Sequence, residues 1–279
     1  MRPQQEFADE ARAERPDLAR LCLLIGAVAD PDLGEAGMDA AQMELDELAG
    51  RLPYRPGTAP AWADAAARLL GEQCGFHGSP ADYRRLESSL LHEVLRRRRG
   101  LPILLSVVWL EVCRRAGAPV YGVALPGHFV VGFGDPGAAA AAGGDGLVLA
   151  DPFDGGRPLT DRDAELLVVG ATGAGLTPSM LRPADPLEIV LRILNNIRAW
   201  AASRPERTDV QLWAVDLSLL LPAHPARLRY ERARLLVERG EFADGARELE
   251  EYATVVAEVE PAMAERVRRE ARLARARLN

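Results

Sequence analysis

The chain has 279 residues, of which 48% are hydrophobic and 27% are charged, a composition typical of soluble globular proteins. Its net charge of −7 argues against a general nucleic-acid binder, because phosphate binding favours a basic surface. The sequence contains no run of about eighteen apolar residues, so it predicts no membrane span. The charged N-terminus lacks the apolar core of a signal peptide. We therefore expect a cytoplasmic protein that binds neither nucleic acid nor membranes.

Cysteine and histidine positions predict no metal site and no cofactor. The three cysteines are odd in number and widely scattered, which is typical of neither a disulfide framework nor a zinc site. The histidines other than His128 also lack ligand spacing. The composition does not determine an oligomeric state.

Apolar residues at helical spacing predict four amphipathic helices in the first hundred residues. Their sequences are PDLARLCLLIGAVADPDL, MDAAQMELDELAGRLP with Asp39 as a cap, AWADAAARLLGEQCGF closing near Gly71 or Gly75, and ADYRRLESSLLHEVLRRRRG. The proline-rich residues 51–60 between the second and third predict a linker loop.

The next segment, residues 101–113 (LPILLSVVWLEVC), is apolar on nearly all sides and predicts a buried helix. Pro102 suits its first position, where a missing N–H costs nothing. Three strand-like runs follow at 120–125, 128–133 and 147–151, with a low-complexity loop at 134–146 between the last two. A buried helix followed by an antiparallel meander indicates an α+β fold.

The chain is predicted to be helical from about residue 183 to its end. The stretch RYERARLLVERGEFADGARELEEY resembles a tetratricopeptide helical pair, although Gly245 stands where a small alanine is usual. We therefore predict two domains, residues 1–182 and residues 183–279, the second an all-α tail.

His128 and Asp151 are the leading site candidates. If strands 128–133 and 147–151 pair as a hairpin, the start of one lies opposite the end of the other, so imidazole and carboxylate lie side by side. A carboxylate behind an imidazole fixes its tautomer and stabilises its cation, as in a catalytic triad. The pair is then either active, in catalysis or ligand binding, or a structural hydrogen-bonded pair.

Neighbouring residues complete the predicted ligand-binding region. Pro126 and Gly127 form the tight turn that leads into the strand. Asp154, in the DPFDGG segment, either binds a cation or closes a plain turn through its own side chain.

Long, ordered motifs now show a family resemblance. The stretch RRRRGLPILLSVVWLEVCRRAGAPVYGVALPGHFVVGF followed by ADPFDGGRPL, with flanking segments such as LRILNNIRAW, resembles the SirB-type transglutaminase-like proteins. The resemblance implies a papain-like core, with His128 and Asp151 at the family's histidine and aspartate. The superfamily's catalytic cysteine begins the buried helix, and Pro102 occupies that position here.

The missing thiol leaves three hypotheses open. The first is a non-catalytic transglutaminase-like domain that regulates or binds a protein or peptide partner. The second is a cryptic hydrolase or acyltransferase in which His128 activates a water or Ser106, one helical turn after Pro102. Ser106 is otherwise expected to donate back to a carbonyl of its own buried helix. The third is a structural scaffold whose tail does all the binding.

Overall fold

The computed structural model describes residues 2–53, 57–136 and 147–278. The chain divides into two compact units, one of Met1–Glu6 with Glu14–Ile193 and one of Phe7–Ala13 with Leu194–Asn279. The domain boundary at residue 182 stays a prediction. Parts of the predicted loops at 51–60 and 134–146, namely residues 54–56 and 137–146, lie outside the described residues.

The helices up to residue 202 are α1 (Pro3–Ala11), α2 (Leu18–Ala29), α3 (Gly34–Gly50), α4 (Ala59–Ala66), α5 (Leu91–Arg97), α6 (Pro102–Arg115), α7 (Asp161–Thr172) and α8 (Pro186–Ala202). A π-helix, Ala67–Gln73, continues α4. Short 3₁₀ helices cover Pro80–Arg84, Leu86–Ser89, Pro152–Asp154, Pro178–Leu181 and Pro205–Arg207.

Helix α6 forms the centre of the first unit, and its predicted burial is confirmed. Every residue from Pro102 to Cys113 is buried, including Trp109 at 0% exposure. Pro102 occupies the start of the helix, where no intrahelical partner for an N–H exists. After α6, Gly117 takes a positive φ of 83°, which glycine adopts without steric cost.

Two predicted helices differ from the structure. Helix α3 begins at Gly34, so Asp39 is an interior residue and the cap predicted there is wrong. The helix starts earlier because the chain already turns just before it, with the Asp32 amide donating to Asp30 Oδ1 at 3.1 Å.

The single helix predicted over ADYRRLESSLLHEVLRRRRG is also wrong, because two 3₁₀ helices precede the short α5. Asp82 is buried and its Oδ2 accepts both the Ser79 amide and the Ser79 hydroxyl at 2.8 Å. Ser88 adds a hydroxyl contact to Asp82 Oδ1 at 3.4 Å. Side chains that bind nearby backbone and polar groups in this way compete with a continuous helix.

The sheet is an antiparallel meander in the order β1-β2-β3-β4, as predicted for its first three strands. The strands are β1 (Val120–Val123), β2 (Val130–Gly134), β3 (Leu147–Asp151) and β4 (Arg157–Leu159). One face of the sheet packs against α7 through a cluster containing Val123, Leu125, Val130, Leu149, Ala164 and Val168. Elements α1, α7 and β4 were not predicted; β4, with three residues, is too short for a periodic signal.

In the second unit, α9 (Thr208–Leu220), α10 (Arg227–Glu238), α11 (Phe242–Val256) and α12 (Pro261–Ala276) follow one another. Helices α10 and α11 are the helical pair predicted from the sequence. Gly245 lies where α11 crosses α10 closely, since a Cβ there would lie 2.5 Å from Val237 Cγ2 and 3.0 Å from the Ala233 carbonyl oxygen. The close approach explains why this position is smaller than the usual alanine.

Among the described helices, none combines the length and the apolar character that crossing a membrane requires.

Candidate functional site

The structure brings His128 and Asp151 into direct contact. His128 Nε2 lies 2.9 Å from Asp151 Oδ2, and the side chains are 12% and 9% exposed. The other carboxylate oxygen, Oδ1, accepts the Phe153 amide at 2.9 Å. Because an ionised carboxylate only accepts hydrogen bonds, Nε2 is the donor, and Nδ1 is the acceptor of the neutral ring.

The β2–β3 hairpin accounts for this contact. Val131 pairs with Ala150, so the residues before β2 lie beside the last residue of β3, which is Asp151. His128 belongs to the turn that leads into β2, and its amide donates to the Leu125 carbonyl at 3.2 Å. The juxtaposition predicted from the hairpin topology is therefore present, and the role of the pair stays a prediction.

The predicted turn at Pro126 and Gly127 is confirmed. Gly127 has a φ of +72°, and a Cβ there would lie 2.7 Å from Ala171 Cβ. Pro126 is half-buried and Gly127 is exposed. Both requirements on Gly127, the left-handed backbone and the close neighbour, are met without strain by glycine alone.

Asp151 also begins a tight turn that holds it in place. Its carbonyl accepts the Gly156 amide at 2.8 Å, and Gly155 and Gly156 both have positive φ values. Asp154 in this turn is exposed and accepts from Arg157 Nε at 2.6 Å. The contact of Asp154 is thus a surface ion pair within the turn.

The nucleophile candidates lie on α6. Pro102 begins the helix and is buried, and its side chain carries no nucleophile. Ser106 is 0% exposed, and its hydroxyl donates to the Phe129 carbonyl at 3.3 Å. The acceptor lies beside β2 rather than one turn back in α6, and the hydroxyl proton is engaged there.

Three further residues lie around His128 that the sequence did not single out. Phe153 makes edge-on ring contacts with His128 at 6.1 Å and with Tyr83 at 6.2 Å between centroids. Arg192 Nη2 donates to the carbonyls of Leu125 at 2.8 Å and His128 at 2.7 Å. Two family-like segments gave a sequence signal, since ADPFDGGRPL contains Phe153 and LRILNNIRAW contains Arg192.

Two charged groups influence the Tyr83 hydroxyl. Burial raises the pKa of Tyr83, the negative charge of Asp151 raises it further, and the positive charge of Arg192 opposes that rise. Tyr83 is nevertheless 52% exposed. Tyr83 is therefore a neutral hydrogen-bond donor at neutral pH, and it is open to solvent beside the His128–Asp151 pair.

Within residues 2–53, 57–136 and 147–278, no group of three or more histidine, cysteine, aspartate or glutamate side chains is arranged to hold a metal ion. The functional groups around His128 are its own oriented imidazole, the phenol of Tyr83 and the guanidinium of Arg192.

Comparison with known proteins shows the family of the chain. Residues 39–195 match the transglutaminase-like superfamily. The chain belongs to that superfamily. Residues 197–279 match the tetratricopeptide repeat, so the transglutaminase-like domain is followed by a tetratricopeptide-like helical region, and the predicted fold class is confirmed.

The transglutaminase-like chain has bacterial and animal relatives. It is 34% identical over 197 residues to a UPF0162 protein of Xylella fastidiosa, with 67% of this chain and 66% of that protein covered. It is 32% identical over 204 residues to a UPF0162 protein of Pseudomonas aeruginosa, with 71% and 70% covered. With F-box only protein 21 of Mus musculus it shares 27% identity over 179 residues, with 63% and 28% covered.

The chain thus spans about two thirds of the bacterial relatives' length and less than a third of the F-box protein.

Proposed function

We propose that this transglutaminase-like protein is a non-catalytic, SirB-type member of its superfamily that binds a protein or peptide partner in the cytoplasm. One observation carries the proposal: the His128–Asp151 pair is intact at 2.9 Å, while α6 begins with Pro102. An oriented imidazole without a nucleophile lacks the group that forms the covalent intermediate of acyl transfer.

The position of Ser106 supports the same proposal. A serine nucleophile needs its hydroxyl within hydrogen-bond reach of the base and access to substrate. Ser106 instead donates to the Phe129 carbonyl and is fully buried. The tetratricopeptide match over residues 197–279 supports a role in protein interaction, because stacked helical pairs offer extended binding surfaces.

A hydrolase that uses His128 and a water molecule is the competing proposal. The retained bond to Asp151 favours it, because this bond directs the acceptor nitrogen Nδ1 away from the carboxylate. A water held at Nδ1 would act as the nucleophile, and Ser106 would have no part in the reaction.

Activity assays on the full chain separate these proposals. We expect no transamidation of a glutamine peptide with a fluorescent amine, and no ester or amide hydrolysis above that of His128→Asn. Hydrolysis by the wild type that His128→Asn abolishes would overturn the non-catalytic proposal and favour the water mechanism. Arg182→Gln, at an exposed surface ion pair with Glu188, is the control for a general effect of substitution.

A gain-of-function variant tests the assignment of Pro102. In Pro102→Cys the new thiol is expected to react with iodoacetamide faster than the same thiol in Pro102→Cys/His128→Asn, since a neighbouring imidazolium stabilises the thiolate. Peptide mapping identifies the modified cysteine. Equal rates in both variants would show that Pro102 does not hold the nucleophile position.

A further inference from the structure

We propose that Arg192 and Tyr83 form, beside His128, a subsite that binds the carboxylate group of a peptide ligand. The inference rests on the proposed function, since it names the ligand class of the same site. It is carried by the fixed position of the Arg192 guanidinium at the His128 carbonyl, by the absence of a carboxylate partner for it among the described residues, and by the half-exposed Tyr83, whose ring packs on Phe153 beside His128.

The guanidinium of Arg192 is held in place before any ligand binds. Its Nη2 donates to the carbonyls of Leu125 and His128 at 2.8 and 2.7 Å. The Arg192 Cζ lies 5.6 Å from the Phe129 ring centroid. A donor group fixed by such contacts loses little conformational entropy on binding, which favours affinity.

Arg192 differs from the other half-buried arginines of the first unit in having no carboxylate partner among the described residues. Arg97 pairs with Asp82, Arg98 with Glu44 and Arg115 with Glu111 and Asp46. The partners of Arg192 Nη2 are neutral carbonyls instead. Burial lowers the pKa of Arg192, because removal from water disfavours the charged form.

A desolvated cation without a counterion favours binding of an anion, because the unpaired charge is costly and an anion offsets that cost. Each two-point fork of a guanidinium uses Nη2, and in Arg192 that nitrogen already donates to two carbonyls. Nη1 and Nε are not engaged in the carbonyl contacts, so Arg192 would bind a carboxylate through a single charge-assisted hydrogen bond from one of them.

Tyr83 supplies the second donor. Its half-exposed ring contacts Phe153. Phe153 in turn contacts the His128 ring, and the His128 carbonyl accepts from Arg192. A carboxylate bound to Arg192 and Tyr83 therefore lies next to the imidazole, where the peptide that carries it would contact the rings of Phe153 and His128.

The test is a titration of the full chain, followed by NMR of the His128 ring resonances. The probes are N-acetyl-Gly-Ala with a free carboxylate and the same peptide amidated, together with N-acetyl-Gly-Glu-Ala-amide and its Gln counterpart. We expect an acidic probe to shift the His128 resonances with a Kd at least about tenfold lower than its neutral counterpart, the effect of one charge-assisted hydrogen bond. Binding of the free-carboxylate dipeptide alone would identify a chain terminus, and binding of the Glu peptide alone an acidic side chain.

Two variants assign the subsite. Arg192→Gln keeps a donor for the carbonyls but removes the charge, and we expect it to raise Kd about tenfold or more. Tyr83→Phe removes one hydroxyl from a half-exposed residue, and we expect about a threefold rise or more. Arg182→Gln is the matched control and is expected to leave Kd unchanged. If circular dichroism shows that Arg192→Gln does not fold, Tyr83→Phe decides the result.

The inference would be overturned if the acidic and neutral probes bind equally, if neither variant weakens binding, or if no probe shifts the His128 resonances at millimolar concentration. Equal binding of acidic and neutral peptides would overturn the carboxylate subsite and leave the partner-binding proposal standing. His128-dependent hydrolysis in the activity assay would instead overturn the non-catalytic proposal.

Discussion

The packing of Gly71 against the turn that carries Asp151 leads to a sharp prediction for Gly71→Ala. Gly71 lies in the π-helix Ala67–Gln73, and a Cβ there would lie 2.0 Å from the Gly155 carbonyl oxygen and 2.8 Å from its carbon. Both atoms belong to the backbone, so no side chain can rotate away. The π-helix or the turn must shift.

Overpacking of this kind costs about 1–3 kcal/mol, and we expect the upper part of that range because both partners are backbone. The higher helix propensity of alanine offsets at most about 1 kcal/mol. The net loss in unfolding free energy is therefore about 2 kcal/mol. At about 2–4 °C per kcal/mol for a domain of this size, Tm falls by about 4–8 °C. Displacement of the turn also disturbs the 2.9 Å contact between His128 and Asp151.

Thermal and urea unfolding of the full chain measure the change, and Gly170→Ala in α7 provides the matched control. A Cβ at Gly170 would meet no atom within 4 Å, so this variant is expected to gain about 0.5–1 kcal/mol from helix propensity alone. If Gly71→Ala is as stable as Gly170→Ala, the close contact with the turn is not present in solution and the reasoning is wrong.

Two further predictions concern side chains of the buried core and its edge. Ser106→Ala removes the hydroxyl bond to the Phe129 carbonyl and should lower the unfolding free energy by about 1 kcal/mol, measured by urea denaturation. We expect neither the wild type nor this variant to hydrolyse the ester or amide substrates; hydrolysis by the wild type that Ser106→Ala abolishes would show Ser106 to be a nucleophile. In the second, iodoacetamide at pH 8 followed by intact mass is expected to add one label, at the half-buried Cys74. Burial raises the pKa of Cys113 to about 12 and that of Cys22 further, so both stay protonated, and thiols react as thiolates. Rapid labelling of Cys22 or Cys113 in the folded protein would contradict their burial.

Much of the fold follows from local patterns in the sequence. The run from residue 101 to 113 predicts the buried helix α6 because it is apolar on nearly all sides, and three strand-like runs after it predict the meander. The contact of His128 with Asp151 could be predicted without side-chain geometry, because a hairpin places the start of one strand beside the end of the next. Gly127 predicts the turn that contains it, because the positive φ that such a turn requires favours glycine.

The sequence misleads where a polar side chain outweighs the apolar pattern. Leucines at helical spacing between residues 82 and 95 predict one helix. The Asp82 carboxylate instead accepts hydrogen bonds from Ser79 and Ser88, and these bonds interrupt the predicted helix. The side-chain acceptor satisfies backbone and hydroxyl donors better than a continuous helix would.

By itself, then, the sequence determined the buried helix, the meander and the contact of His128 with Asp151, because each depends on periodicity or on neighbours along the chain. That Pro102 stands at the nucleophile position is implied by the family resemblance. Only the tertiary structure decided that Phe153 and Arg192 contact His128 and that Tyr83 packs on Phe153. It also decided that the Ser106 hydroxyl is engaged by the Phe129 carbonyl. These contacts join residues far apart in sequence. Their formation depends on how helices and strands pack in three dimensions, which no local spacing encodes.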